Sequence, residues 1–305
     1  MRTRPIGSLQ ASAIGLGCNN FGRRVDAAGT RRVLDAAIEA GVTFLDTADT
    51  YGGSDSERFM GEALRGRRDE VVLATKFGWP REGAGGAHPE TVRPALEASL
   101  QRLQTDHVDL YQLHHPDPSV PIADTLGAMG DLVRAGLVRE IGASNLSAEQ
   151  LSEAHEAVAV GAPRFLSLQN EYSLLHREPE AEVLPACARL GVAFLPYVPL
   201  KSGLLTGKYR LGQPLPEGAR ITANRERFGE LTSEETLERV ERLIAFAEAR
   251  GREVLDLAFA WLLARPQVAS VIAGATSPEQ VRRNAAAADW QLGADELAEV
   301  DALLG

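Results

Sequence analysis

Residues 41–52 read Gly41-Val42-Thr43-Phe44-Leu45-Asp46-Thr47-Ala48-Asp49-Thr50-Tyr51-Gly52. A short, mostly apolar run, Val42–Leu45, leads into a carboxylate, and a tyrosine follows five residues later. So short a run, bounded by glycine and polar residues, suits a buried strand better than a helix. The pattern recurs downstream: Val71–Ala74 leads into Thr75-Lys76, and Val108–Leu113 leads into His114-His115-Pro116. Successive buried strands that each end in a polar group build one site only if those ends converge. A parallel barrel makes them converge, because its chemistry sits at the C-terminal ends of its strands.

Outward from this stretch, β-like runs alternate with amphipathic helical stretches along the chain. The strand candidates are Ile14–Gly17, the run ending at Asp46, Val71–Thr75, Val108–Leu113, Arg139–Ala143, Phe165–Gln169, Val192–Val198 and Val268–Ile272. Helices are predicted over Ala27–Ala40 with Gly41 as its stop, Ser54–Leu64, Pro89–Leu103, and Ile122–Ala135 with Gly136 as its stop. A capping box, Ser147-Ala148-Glu149-Gln150, opens the next helix. Further helices are expected over Glu180–Leu190, Ser233–Arg250 and Glu253–Ala264, from Pro278, and over Ala294–Leu304. Eight βα units in strict alternation predict a single α/β domain over residues 1–305, a (β/α)8 TIM barrel with extra C-terminal helices. Arg4–Ile14, turning at Gly7-Ser8, predicts an N-terminal β-hairpin that plugs the barrel bottom. The competing fold is a doubly wound open sheet. Its only local support is Gly15-Leu16-Gly17, and there the next glycine, Gly22, stands too far along for the G-x-G-x-x-G spacing.

With 44% hydrophobic and 24% charged residues the chain has an ordinary globular composition. A net charge of −10 argues against a nucleic-acid partner and requires any anionic ligand to find a local basic patch. Two cysteines, Cys18 and Cys187, and no CxxC imply no disulfide framework, which suits a cytoplasmic location. Met1-Arg2-Thr3-Arg4-Pro5 carries no apolar signal core, and no 18-residue apolar run occurs, so neither export nor a membrane span is expected. No metal site is expected, because neither H-x-H nor H-E-x-x-H occurs.

Asp46, Tyr51, Lys76 and His114 are the candidate catalytic residues. Lys76 follows a buried-looking run, where an unpaired ammonium is costly, and Asp46 is its available partner if the second and third strands are neighbours. In that arrangement the cation is expected to lower the Tyr51 pKa from its usual value of roughly 10, making the phenol a proton donor nearer neutral pH. His114 would orient a carbonyl by hydrogen bonding. His115 is its rival; strand alternation would turn the two rings to opposite sides.

The order of motifs resembles the aldo-keto reductases of the bacterial type with a short C-terminus. Gly41–Gly52 resembles their first signature, and Asp109-Leu110-Tyr111-Gln112-Leu113-His114 their fourth-strand motif. Ile141-Gly142-Ala143-Ser144-Asn145, Gln169-Asn170-Glu171-Tyr172, Tyr197-Val198-Pro199-Leu200, Gly203–Tyr209 and Ser277–Asn284 follow in order. Together they run from about residue 14 to 290. The resemblance implies NADPH, with NADH possible, lying across the C-terminal mouth of the barrel. Tyr51 would then be the general acid in reduction of an aldehyde or ketone, tuned by Lys76 and Asp46. Ser144, Asn145 and Gln169 would meet the nicotinamide carboxamide, Tyr197 would stack on its ring, and Pro199 and Leu200 would lie beside it. Lys208 would meet phosphate, and Gly274, Thr276, Gln280, Arg283 and Asn284 would hold the adenosine end.

The segment Pro199–Leu231 supplies basic residues in Lys208, Arg210, Arg220 and Arg225. At the adenosine end the chain departs from its relatives. The loop Ala273-Gly274-Ala275-Thr276-Ser277 has no charge to grip a 2′-phosphate, and Arg283 stands where an acid is usual. Arg282 or Arg283 would have to substitute. Asn20, Trp79 and His115, with Phe77 and Lys201, are expected to line a substrate pocket suited to an apolar or aromatic carbonyl. Gly83–Gly86 suggests a flap, and the short C-terminus an open pocket. A monomer or weak homo-oligomer is expected. The rival readings are a cofactor-binding redox-sensing regulatory subunit, an NAD-dependent sugar or alcohol dehydrogenase, and a metal-dependent hydrolase.

Overall fold

Two antiparallel strands open the chain, β1 (Thr3–Ile6) and β2 (Leu9–Ser12), and they turn at Gly7-Ser8 as expected. The computed structural model describes residues 1–80, 86–158 and 162–304, so positions 83–85 of the expected flap lie outside the described residues. Eight parallel strands follow: β3 (Ile14–Gly17), β4 (Phe44–Asp46), β5 (Val72–Phe77), β6 (Val108–Leu113), β7 (Val138–Ser144), β8 (Phe165–Gln169), β9 (Ala193–Phe194) and β10 (Val271–Gly274). Their order is β10-β3-β4-β5-β6-β7-β8-β9. The two ends of that row are joined as well. Parallel bridges pair Phe194 with Val268 and Tyr197 with Ile272. Ala269 N donates to Phe194 O at 3.0 Å and Ile272 N to Pro196 O at 2.9 Å. The sheet therefore closes into a barrel, and the open-sheet alternative is excluded.

The helices are α1 (Ala27–Glu39), α2 (Asp55–Ala63), α3 (Pro89–Leu103), α4 (Ile122–Arg134), α5 (Ala148–Glu156), α6 (Val183–Leu190), the short α7 (Arg220–Ala223) and α8 (Arg225–Phe228), α9 (Glu234–Glu248), α10 (Val254–Leu263), α11 (Pro278–Ala286) and α12 (Ala294–Leu304). Their ends follow local chemistry. Asp26 caps α1 by accepting from Gly29 N at 2.7 Å, Ser147 and Gln150 form the expected capping box on α5, and Ser277 caps α11. Among the described residues, no helix is long and apolar enough to cross a membrane.

Three strands depart most from expectation. The seventh barrel strand, β9, is only two residues long rather than Val192–Val198, because Pro196 and Pro199 offer no N–H to a ladder. The eighth, β10, begins at Val271 rather than Val268, while β5 runs on through Lys76 to Phe77. Lys76 thus lies within the ladder, its Cα opposite Gln112.

Strand alternation sorts the side chains into two cores. Phe44, Ala74, Leu110, Leu195, Ala269 and Ile272 fill the lumen, and Ile6, Leu9 and Ala11 of the hairpin pack against them as a floor. The larger core lies between strands and helices. Phe77 belongs to that outer layer, where it stacks on Tyr111 with ring centroids 4.7 Å apart. It does not line the mouth, which corrects the expectation that it would. Its neighbour Lys76 points into the lumen instead.

Candidate active site

Asp46 ends β4, Lys76 lies in β5, His114 follows β6, and Tyr51 begins a helical turn just beyond Asp46. The structure brings all four together above the apolar floor. Lys76 Nζ donates to Asp46 Oδ2 at 2.6 Å and to Thr47 O at 2.9 Å, and it stands 5.3 Å from the centre of the Tyr51 ring. The Asp46 carboxylate balances the ammonium and a backbone carbonyl takes a second N–H, which is what allows Lys76 to be fully buried. The Tyr51 ring stands edge-on to His114, with centroids 5.8 Å apart. Its turn is wedged against the first βα loop. Gly52 has φ +61°, and a Cβ there would lie 2.5 Å from Phe21 O, so only glycine fits.

The other oxygen of Asp46 is held by amides. Gln112 Nε2 and Gln169 Nε2 each donate to Oδ1 at 3.0 Å, and Gln169 Nε2 also lies 3.3 Å from Gln112 Oε1. Gly142 of β7 lies opposite Gln112, and what its missing Cβ admits is the Ser167 hydroxyl of β8; Gln112 Cγ would be at ordinary contact, 3.4 Å. Sequence reasoning did not single out Gln112. The available signal was its spacing, two residues before His114 in one strand and hence on the same face.

Burial decides the electrostatics. Burial raises the Tyr51 pKa; Lys76 pulls it down and Asp46 pushes it up, and the balance lies above the usual phenol value. This reverses the expected lowering, because desolvation of the phenolate outweighs the single nearby cation whose charge Asp46 already offsets. Burial also opposes charge on Lys76, but Asp46 and Tyr51 more than compensate, so its pKa is raised. His114 is driven down to about 2 by burial, then by Lys76 and His115, and is a neutral imidazole at any working pH.

The two histidines do not turn to opposite sides. Their rings stack at 5.4 Å with an 18° interplanar angle, and Trp79 meets both edge-on at 4.7 and 4.8 Å. Alternation fails because the strand has ended at Leu113. His114 is buried, whereas His115 and Trp79 lie nearer the surface, Trp79 with 43% exposure. These three rings make one aromatic wall beside Tyr51. Asn20 stands elsewhere: a Cβ on Gly274 would lie 3.1 Å from its Nδ2, which places its amide over the end of β10. Lys201 is paired with Glu171 at 2.7 Å.

The residues expected at the nicotinamide end form one hydrogen-bonded rim. Ser144 Oγ donates to Gln169 O at 2.7 Å, Asn145 Nδ2 to His114 O at 2.9 Å, and Tyr197 Oη to Asn145 Oδ1 at 2.8 Å. Asn145, Val198, Lys201 and Ser202 all have positive φ, at 62°, 53°, 42° and 57°. For β-branched Val198 this is a true outlier, and such strain gathers at functional rims. Pro199 is buried and Leu200 half-buried here. At the other end Thr276 N donates to Gln280 Oε1 at 2.8 Å, and Asn284 is buried in α11. Arg283 is paired with Glu253 and Arg282 with Glu39, so neither guanidinium is unengaged.

The basic patch differs from the expected one in membership. Arg210 is held by Glu241. Lys208 instead folds over Gly203 and the Tyr209 ring, its pKa lowered by burial and by Arg24. Arg220 and Arg227 both lie against the Phe228 ring, at 5.4 and 5.2 Å. Burial lowers the Arg220 pKa, as do Arg24, Arg227 and Arg23. Among the described residues none of these five cations makes an ion pair. Arg23 and Arg24, in the first βα loop, were not anticipated.

The relatives agree with this architecture. The family model described as the aldo/keto reductase family matches residues 13–304. The chain is 34% identical to the protein Tas of Escherichia coli, over 98% of this chain and 96% of that one. It is 35% identical to the aldo-keto reductase YhdN of Bacillus subtilis, over 97% and 91%. A probable voltage-gated potassium channel subunit beta of Oryza sativa is 34% identical, over 88% and 84%. Among solved structures, the aldo-keto reductase AKR11C1 of Bacillus halodurans, in its holo form, superposes with a TM-score of 0.80 at 32% identity, covering 99% of this chain and 96% of that one. With a family match spanning nearly every residue of the barrel, this chain belongs to the aldo/keto reductases, a family of oxidoreductases.

Proposed function

We propose that this protein reduces aldehydes or ketones to alcohols with NADPH, and that Tyr51 is the general acid. The observation that carries the reading is the buried ammonium of Lys76, paired with Asp46 at 2.6 Å and standing 5.3 Å from the centre of the Tyr51 ring. A nicotinamide dinucleotide, when bound, supplies the hydride.

The residues fit such a cofactor. Five cations gather at the mouth, none of them ion-paired among the described residues, an arrangement whose mutual repulsion a multiply charged phosphate ligand relieves. They favour NADPH over NADH as the carrier of the extra 2′-phosphate, in place of the uncharged loop 273–277. Ser144, Asn145 and Gln169 offer amide and hydroxyl groups at the rim, and Tyr197 a ring face.

The chain's own chemistry follows. His114, neutral, orients the carbonyl oxygen toward the Tyr51 hydroxyl. Trp79 and His115 form the apolar wall for the substituent. Tyr51 gives its proton to the oxygen as negative charge develops there, and Lys76 steadies the phenolate left behind. The rice relative's name suggests a regulatory subunit as a second reading; the complete quartet favours turnover. Tyr51→Phe is expected to lose about 10²- to 10⁴-fold in kcat. Its cofactor affinity, read by fluorescence titration, should stay within about twofold, since general-acid catalysis and binding are separable. Near-normal turnover in that variant would remove the mechanism.

A further inference from the structure

Above Phe44, Ala74 and Leu110 the lumen turns polar at one level, where Lys76, Gln112 and Gly142 stand opposite one another in neighbouring strands. Asp46 is the carboxylate of this layer. Its Oδ2 serves Lys76, and its Oδ1 accepts two amides, Gln112 and Gln169, at equal distance. The two amides are not equivalent. Gln169 ends β8 at the rim, with Ser144 on its carbonyl, and can turn toward a ligand. Gln112 is fully buried, on the same face of β6 as Leu110 and opposite Gly142 of β7.

We propose that Gln112 is a positioning residue for proton donation: its amide keeps the Asp46 carboxylate turned onto Lys76 when Gln169 leaves Asp46 for a ligand. The inference rests on the reading of Tyr51 as the acid. Its physical basis is the cost of a buried carboxylate short of donors. With the Gln112 donor removed, the charge on Asp46 is less dispersed. It then holds the Lys76 proton more tightly, and Lys76 stabilises the Tyr51 phenolate less. The groups facing Tyr51 are Lys76 from β5, Asp46 from β4, Cys18 after β3, His114 after β6 and Tyr197 after β9. Replacing Gln112 changes the charge of none of them.

The test compares wild type with Gln112→Leu and Gln112→Met. Tyrosine labelled with ¹³C at Cζ reports phenol ionisation in the protein without cofactor, and the Tyr51→Phe spectrum assigns the signal. The pH profile of turnover and the cofactor affinity are measured alongside. The Tyr51 midpoint should rise by about one unit and kcat fall about tenfold, with cofactor affinity within about twofold, as for loss of one hydrogen bond to a charged group. Should the leucine variant not fold, the methionine variant, which matches the glutamine in length, carries the same prediction. Gln112→Glu adds a rescue: its carboxyl donates once protonated, so activity should climb toward wild type as pH falls, which a packing role would not produce. An unmoved midpoint in the Leu and Met variants, or a kcat loss that does not narrow as pH rises through the wild-type Tyr51 midpoint, would overturn the inference while leaving the carbonyl-reductase reading intact. Wild type that binds cofactor but turns over no carbonyl would fail that reading itself.

Discussion

Lys76 is fully buried, yet its charge is held by two acceptors, Asp46 and the Thr47 carbonyl, beside the phenol it is proposed to serve. Breaking a buried ion pair of this kind by removing one partner typically costs about 3–5 kcal/mol. The pair is therefore part of the barrel's packing as well as its chemistry. The titrations separate cleanly. His114, pushed to about 2, adds no break to activity near neutral pH. Tyr51, raised by burial, keeps its proton well into the alkaline range. Because reduction needs the protonated phenol, kcat/KM for carbonyl reduction should stay flat from about pH 6 to 9 and fall as pH rises through the Tyr51 midpoint. Alcohol oxidation needs the phenolate and should rise over that same alkaline interval. A break near pH 6–7 that disappears in His114→Gln would contradict the neutral-imidazole assignment.

Among the elements, α2 is the brace that ties β5 to α3. Its Glu57 accepts from Thr75 of β5 at 2.5 Å and from Arg102 of α3 at 2.6 Å. The helix must approach α3 closely to do so. A Cβ on Gly61 would lie 2.4 Å from Arg102 O and 2.7 Å from Leu103 C, backbone atoms that cannot rotate away. Gly61→Ala is expected to destabilise the fold by about 1–3 kcal/mol, seen as a lowered thermal midpoint; an unchanged midpoint would mean that the helices slide apart at little cost. The regular elements were legible in the residues. Val108–Leu113, Phe165–Gln169, Pro89–Leu103 and Ala294–Leu304 form where periodicity and caps place them. Tertiary context decided the rest. Prolines cut β9 short, and the stacked His114 and His115 lie where strand alternation no longer operates. The direction of the Tyr51 shift needed the depth of burial, which spacing does not reveal. The Gln112 amide reaches Asp46 across two strand spacings of the closed barrel, a contact that spacing along the chain does not reveal.

For the molecule as a whole, the net charge of −10 sits beside a mouth where Arg23, Arg24, Lys208, Arg220 and Arg227 have no acidic partner among the described residues. A local field of opposite sign to the rest of the surface draws an anion to that mouth. The closed barrel sets Asp46, Lys76 and His114 at the ends of successive strands beneath it, and the turn after β4 brings Tyr51 onto them. The central claim is that these two regions serve one reaction. It is tested most directly with NADPH carrying deuterium at C4 of the nicotinamide, incubated with a panel of aromatic and aliphatic aldehydes and ketones, the products being weighed by mass spectrometry. Deuterium is expected on the carbinol carbon with wild type, and little or none with Tyr51→Phe although that variant still binds the cofactor. Cofactor binding by wild type with no deuterium in any product would contradict it.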